Sequence, residues 1–372
     1  MKSLPVRFLL LPLLLVSAVR AAPDDLTAGL ESIRKQHQLP ALGAIAFRGG
    51  KILAQGVVGV RKRGETTPAT LADKWHLGSL TKSMTASLAA MLVADGCISW
   101  ETTVAQALGE KFSGIHPALQ GVTLQQLLEH RGGLAHDGPP AIWRDLWKQT
   151  GDTAENRHWW MQGLVREKPP HSAGDFDYSN AGYVLAATLL ENAAGAPWEN
   201  LVQTRLFAPL GLRSAGCGPP ATPGQIDQPW GHRANGTPVP PGPGADNPPA
   251  LGPAGTVHLT LQDLATYARW HLREGTGRPA LLDAAGFHHL HTTRFPDKQK
   301  EGYACGWFVA QRPWASGPAI NHSGSNNMNF AIVWLAPRRD FGFAVVTNIG
   351  GDPARKGCDH AASWLVGQYA EK

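Results

Sequence analysis

The stretch WHLGSLTKSMTASLAAMLVADG, Trp75 to Gly96, sets Ser79 and Lys82 three residues apart at the head of an apolar run. On a helix such neighbours share a face, so Lys82 reaches back to the Ser79 hydroxyl. Leu80, Met84, Leu88 and Met91 form a separate apolar stripe that turns the helix into a core. An ammonium and a hydroxyl are both costly to bury there. The lysine therefore needs a chemical reason: desolvation lowers its pKa from about 10.4, and a neutral amine so placed can accept the proton of the serine. The spacing alone decides little, because Ser32 and Lys35 repeat it in a polar helix with no other chemical signal.

Upstream, DDLTAGLESIRKQHQLP spaces Leu26, Leu30 and Ile33 along one helical face that ends before Pro40. LGAIAFR and KILAQGVVGV read as two strands joined by Gly49-Gly50, which can take the positive φ values of a tight hairpin. Downstream, Lys74 to Leu272 is mostly helical. It holds TLQQLLEH, NAGYVLAATLLENAAG and LTLQDLATYARWHL, the last with Thr260 as N-cap and Asp263 at N3. Ser214 to Gly255 is crowded with Pro and Gly and predicts a long ordered loop or lid. Strands return with YACGWFVAQ, NFAIVWLA and FGFAVVTN, the last two joined by PRRD as a hairpin, before a final helix opening at Asp352-Pro353. No internal repeat is visible. The strands of both chain ends are expected in one antiparallel sheet flanked by the terminal helices, with the helical region inserted between them: an α+β fold.

The chain has 372 residues, of which 43% are hydrophobic and 17% charged, enough for a sizeable core. Lys2 and Arg7, the mostly apolar run Phe8 to Val19 and the small-residue site Val19-Arg20-Ala21 predict an export signal cleaved near Ala21. The alternative is an uncleaved anchor, which that run is short for. Cleavage removes three cations and takes the formal charge from +5 to +2, so the basic balance says little about partners. No basic block with interleaved aromatics supports nucleic-acid binding. The mature chain is expected to be periplasmic or secreted, without a stable membrane anchor. Cys97, Cys217, Cys305 and Cys358 allow three pairings and share no C-x-x-C spacing, which leaves one or two disulfides or buried thiols.

Two further elements join the first. DFDYSNAGYVL gives Tyr178-Ser179-Asn180 at the start of an apolar helical run, and INHSGSNNMNF gives His322-Ser323-Gly324 entering a strand. With S-x-x-K, this ordered set resembles the serine β-lactamase and penicillin-recognising hydrolase superfamily. The closest branch holds class C β-lactamases, D-alanyl-D-alanine carboxypeptidases and related esterases and aminopeptidases. The resemblance covers nearly the whole mature chain, including connectors such as LLEHRGGL and PAGTVHLTLQDLATY. It implies a β-lactamase/transpeptidase-like fold. It makes Ser79 the nucleophile, Lys82 its proton acceptor and Tyr178 a second acid/base for the leaving group. Asn180 would hold the substrate amide and help place Lys82. The backbone N–H groups of Ser79 and of Ser325, which follows the third motif, would form the oxyanion hole.

His322 departs from the family's usual lysine and carries a charge only when protonated, which favours peptidase or esterase chemistry over efficient β-lactam hydrolysis. It has a plain alternative as a strand-capping hydrogen-bond partner. His288, His289 and His291 in FHHLHTTRF suggest a packing or solvated face, since H-E-x-x-H is absent and adjacent histidines diverge. No G-x-S-x-G marks a nucleophile elbow, and Asp175 and Asp177 lack the second signal of a glycosidase. Trp159 and Trp160 are candidates for the cleft wall. The expected organisation is a signal peptide over 1–21 and a serine hydrolase domain over 22–372, with its α/β part at 22–73 and 273–372 and its mostly helical part at 74–272. The expected function is cleavage of an amide or ester, in a small acyl compound or peptide, through a Ser79 acyl-enzyme without cofactor or metal. The rival is a penicillin- or peptidoglycan-binding sensor of the same fold that does not turn over.

Overall fold

The computed structural model describes residues 22–272 and 281–371. The signal expected over 1–21 lies outside them. In chain order come β1 (Asp24–Asp25), α1 (Thr27–Gln36), β2 (Ala41–Arg48), β3 (Lys51–Gly59) and β4 (Lys74–His76). They lead into α2 (Thr81–Ala94), α3 (Leu124–Leu128), α4 (Pro140–Leu146), α5 (Thr153–Leu164) and α6 (Asn180–Ala194). Next come β5 (Gly216–Cys217), β6 (Val257–Thr260), α7 (Leu261–Leu272), α8 (Ala284–His291) and β7 (Gly302–Tyr303). The chain closes with β8 (Phe308–Arg312), β9 (Gly317–Ser325), β10 (Phe330–Ala336), β11 (Phe341–Thr347) and α9 (Gly351–Tyr369), and short helical turns fill several connections.

The α+β expectation holds. One eight-stranded sheet runs β1-β3-β2-β11-β10-β9-β8-β7, antiparallel except for the short parallel pairing of β1 with β3. Both ends of the chain thus meet in it, through the β2–β11 ladder from Leu42↔Thr347 to Arg48↔Phe341. On one face, Leu26, Leu30 and Ile33 pack with Ala354, Cys358, Ala361 and Leu365 of α9. The other face and the helical region share the larger core. A small sheet, β4-β6-β5, joins that region to the strands. Among the described residues, no helix is long and apolar enough to cross a membrane.

Several local readings need correction. Helix α2 is buried on every side and not along one stripe, from Thr81 through Leu92. Its hydroxyls are satisfied internally: Thr85 Oγ1 donates to Pro253 O at 2.6 Å and Ser87 Oγ to Ser83 O at 2.8 Å. The run YACGWFVAQ is two strands, because Gly306 at φ +81° turns the chain against Ser83 and Ala86 of α2. Helix α9 begins two residues earlier than the Asp352 cap predicts, with Gly350 at its N-cap, and Asp352 in the first turn pairs instead with Arg355. At α7, Thr260 Oγ1 accepts from the Asp263 N–H at 3.3 Å, but the Asp263 carboxylate accepts from Ser214 N and Oγ and does not close the box. All four thiols are free, with Cys305 and Cys358 buried, so no disulfide forms. The reading of the α8 histidines needs no correction: His289 stacks on Trp100 at 4.1 Å and His291 Nε2 meets His271 Nδ1 at 2.9 Å, the packing face expected.

Candidate active site

Ser79 sits in a single 3₁₀ turn, Gly78–Leu80, that feeds directly into α2. Strand β9 crosses this turn closely enough to exclude side chains on both backbones. A Cβ on Gly78 would stand 2.3 Å from Ser325 N, and one on Gly324 would stand 2.0 Å from Leu77 O and 2.4 Å from Ser79 N. Gly78 also holds φ +51°, a left-handed conformation that glycine adopts without a steric cost. The two glycines therefore let the backbones of Ser79 and Ser325 meet side by side, at the lip of a cavity of about 590 Å³ that both residues line.

Beneath Ser79, Lys82 is fully buried at the first turn of α2. Its Nζ lies 3.1 Å from Ser79 Oγ, 2.6 Å from Asn180 Oδ1 and 2.8 Å from Ala254 O. A neutral amine has two N–H groups and one lone pair. The two pure acceptors, Asn180 Oδ1 and Ala254 O, take the N–H groups and leave the lone pair for the Ser79 hydroxyl. Burial pushes this lysine down to about 7, against an upward pull from the Asp137 carboxylate.

The Tyr178-Ser179-Asn180 element is a helix N-terminus read literally. Ser179 Oγ caps α6 by accepting from Gly182 N at 2.9 Å, and its own N–H donates to His130 Nδ1 at 3.0 Å. Asn180 thereby becomes the first helical residue and aims its amide at Lys82. Tyr178, just outside the helix, lies beneath the Lys82 Nζ, which stands 5.0 Å from its ring centroid, and hydrogen-bonds with Ser79. Burial raises the Tyr178 phenol well above the usual range, with the Ser79 bond opposing it. It stays protonated at neutral pH.

His322 lies near the end of β9, not at a strand entrance, and is 1% exposed. Nδ1 donates to Ser323 O at 2.6 Å, and Tyr303 OH stands 3.3 Å from Nε2. Burial, reinforced by Lys82, pushes the imidazole down to about 3. It carries no charge at neutral pH. On β9, Ser325 lines the cavity, while His322 and Gly324 form the buried side of the strand and Ser323 lends its carbonyl to the ring.

The structure brings all eight sequence-predicted residues to one place, with Ser79, Asn180 and Ser325 on the cavity surface. It also adds residues that no spacing announced. Asp137 Oδ1 accepts from Asn180 Nδ2 at 2.8 Å, which fixes that amide with its oxygen toward Lys82. His136 Nδ1 in turn meets Asp137 Oδ2 at 2.9 Å. Burial raises the Asp137 carboxyl, but bonds from His136 and Asn180 outweigh it and hold the group below the ordinary carboxylate range. Trp160 is fully buried and Trp159 is exposed elsewhere; Trp143 and Trp147 line the cavity in their place. The Pro- and Gly-rich segment does reach the cleft, through Arg233, Asp246, Asn247 and Gly255. Among the described residues, no cluster suited to a metal ion is found.

Comparison with known proteins finds a match to the family described as Beta-lactamase over residues 21–366. The chain is 26% identical over 336 residues to Penicillin-binding protein 4 of Amycolatopsis lactamdurans, an alignment covering 86% of this chain and 84% of that protein. It is also 26% identical over 307 residues to an unguisins hydrolase of Aspergillus campestris, where 76% of this chain spans 52% of the relative. Among solved structures, an octameric penicillin-binding protein homologue from Pyrococcus abyssi superposes with a TM-score of 0.73 at 22% identity, covering 93% of this chain and 78% of its own. A class C β-lactamase from Rhodobacter sphaeroides gives 0.72 at 21% identity, covering 91% and 98%. These two likenesses speak for the fold.

Proposed function

The chain belongs to the beta-lactamase family of serine hydrolases, and from that membership we propose that it is an exported enzyme that cleaves an amide or ester through an acyl-enzyme on Ser79. The observation that carries this reading is the buried Lys82 amine 3.1 Å from the Ser79 hydroxyl, with its two N–H groups already committed to Asn180 and Ala254.

In acylation, Lys82 takes the Ser79 proton as Oγ bonds to the substrate carbonyl carbon. The carbonyl oxygen becomes an oxyanion between the N–H groups of Ser79 and Ser325, donors that typically supply a hundredfold or more in rate, about 3 kcal/mol each. The C–N or C–O bond then breaks. Tyr178 delivers its proton to the departing nitrogen or oxygen and is reprotonated from Lys82, so charge and proton count are restored. Water reverses the sequence: it loses a proton to the same base, attacks the acyl carbon, and Ser79 leaves as its alcohol. Two environments divide the labour, because the base is held near neutrality while the phenol is kept in its acid form.

The absence of charge on His322 removes the cation that would meet a β-lactam carboxylate beside the nucleophile, which favours peptide, amide or ester substrates. Arg233 is the guanidinium on the cavity wall, with no ion-pair partner among the described residues. It suits a substrate with a carboxylate remote from the scissile bond. The reading is tested by intact-mass measurement after incubation with β-lactams, activated esters and D-Ala-D-Ala peptides. A transient adduct that maps to Ser79 and decays with turnover is expected; turnover at the wild-type rate by Ser79→Ala would remove the mechanism.

A further inference from the structure

We propose that His76 and Asp246 are a positioning pair that holds the Ser79 and Ser325 backbones in register, and that through it the Pro- and Gly-rich segment sets the rate of acyl transfer. The inference rests on the Ser79 acyl-enzyme reading and deepens it.

His76 ends β4, is 2% exposed, and accepts at Nδ1 from the Gly78 N–H at 3.1 Å. That bond places the imidazole proton on Nε2, which faces Asp246 Oδ1 at 2.7 Å. The peptide it grips is the left-handed Gly78, immediately before the nucleophile. Asp246 is 3% exposed, and the same Oδ1 accepts from Asn326 Nδ2 at 3.2 Å and from Asn247 N at 2.7 Å. Asn326 directly follows Ser325, and its own Oδ1 accepts from the N–H groups of Met328 at 3.2 Å and Asn329 at 3.0 Å. One carboxylate oxygen thus ties the turn before Ser79 to the turn after Ser325.

The segment that brings Asp246 touches the site at further points: Asn326 Nδ2 also donates to Ala245 O at 3.3 Å, and Ala254 O receives Lys82. Asn247 Nδ2 donates to Gly255 O at 3.0 Å, next to that Ala254 carbonyl. His76 Nε2 and Asp246 Oδ2 are both buried with no hydrogen-bond partner among the described residues, so the 2.7 Å approach of Nε2 to Oδ1 is a close polar contact and not an aligned hydrogen bond. A buried orphan acceptor is expensive, and such a cost persists where the geometry serves the site. The geometry in question is exacting: oxyanion donors act at about 2.7–3.1 Å, and a shift of about 1 Å can cost roughly a hundredfold in rate.

The test uses the full chain, p-nitrophenyl acetate as substrate, and 3-aminophenylboronic acid as a probe whose serine adduct places an oxygen between the two donors. Asp246→Ala and His76→Ala are each expected to lower kcat about tenfold to a hundredfold with KM within about twofold. Boronate affinity should fall in parallel, and the double variant should be no worse than the weaker single. Asp246→Asn, whose Oδ1 can still accept, should recover most of the rate. A purely structural role would instead lower the melting temperature without this split, and the two losses would add. Wild-type kcat and boronate affinity in Asp246→Ala, or in His76→Ala should the former not fold, overturn the inference while Ser79-dependent turnover still supports the acyl-enzyme. Hydrolysis that survives Ser79→Ala overturns both.

Discussion

Asn180 Oδ1 stands 2.6 Å from Lys82 Nζ, and the other end of the same amide is pinned by Asp137 at 2.8 Å. The side chain therefore cannot flip without losing both bonds, and the lone pair of a neutral Lys82 is left facing Ser79.

The first consequence is a pH profile. Lys82 must be uncharged to act, and burial holds it at about 7. The plot of kcat/KM should rise through an acid limb centred near pH 7 and level off above it, because protonation below that point removes the base. Lys82→Arg should lose about a thousandfold or more at every pH, since a guanidinium does not release its proton. Steady-state rates between pH 5 and 9 on a neutral ester measure both effects.

Asp137 tunes that limb. Its carboxylate raises the Lys82 pKa through space, opposing burial. Asp137→Ala should therefore move the acid limb to lower pH, while the loosened Asn180 amide lowers the plateau about tenfold. A limb that stays in place or moves upward contradicts the assignment.

His322 should leave the limb alone. The imidazole is pushed down to about 3 and stays neutral across the working range. His322→Asn should keep the inflection near 7, whatever its packing against Tyr303 does to the plateau. An inflection that vanishes with this substitution would transfer the titration to the histidine.

Gly324→Ala tests the approach of strand to nucleophile. Its methyl group would fall 2.0 Å from Leu77 O and 2.4 Å from Ser79 N, both backbone atoms that cannot swing aside. Separation of β9 from the Ser79 turn should destabilise the fold by about 2 kcal/mol or more and reduce kcat at least a hundredfold. Thermal melts and single-turnover acylation read the two losses separately.

Arg233→Ala should raise KM about tenfold for peptides carrying a carboxylate and leave neutral esters unchanged, with the difference shrinking at high salt. Equal effects on charged and neutral substrates would rule out anion recognition by this residue.

Residue order, together with the family resemblance, singled out Ser79, Lys82, Tyr178 and Asn180 as candidate site residues, and the first pair and the helix start depend on local devices. Ser79 and Lys82 share one helical face, and Ser179 caps the helix that begins at Asn180. The alternation of strand residues and the Leu26, Leu30, Ile33 face likewise fixed the class of fold. What had to wait for tertiary structure are the relationships between distant segments. The proposed role of Lys82 as a base rests on Ala254 and Asn180, 172 and 98 residues away, which supply acceptors in a dry interior. Asp137, Trp143 and Trp147 reach the cavity from irregular connections and a short helix that carry no periodic signal. The same holds for His76 and Asp246, which meet only when β4 and the Pro- and Gly-rich segment are packed together. Hydrogen bonds along a helix follow from spacing, whereas burial and the meeting of remote side chains follow from how the whole chain closes, and both are what set a pKa.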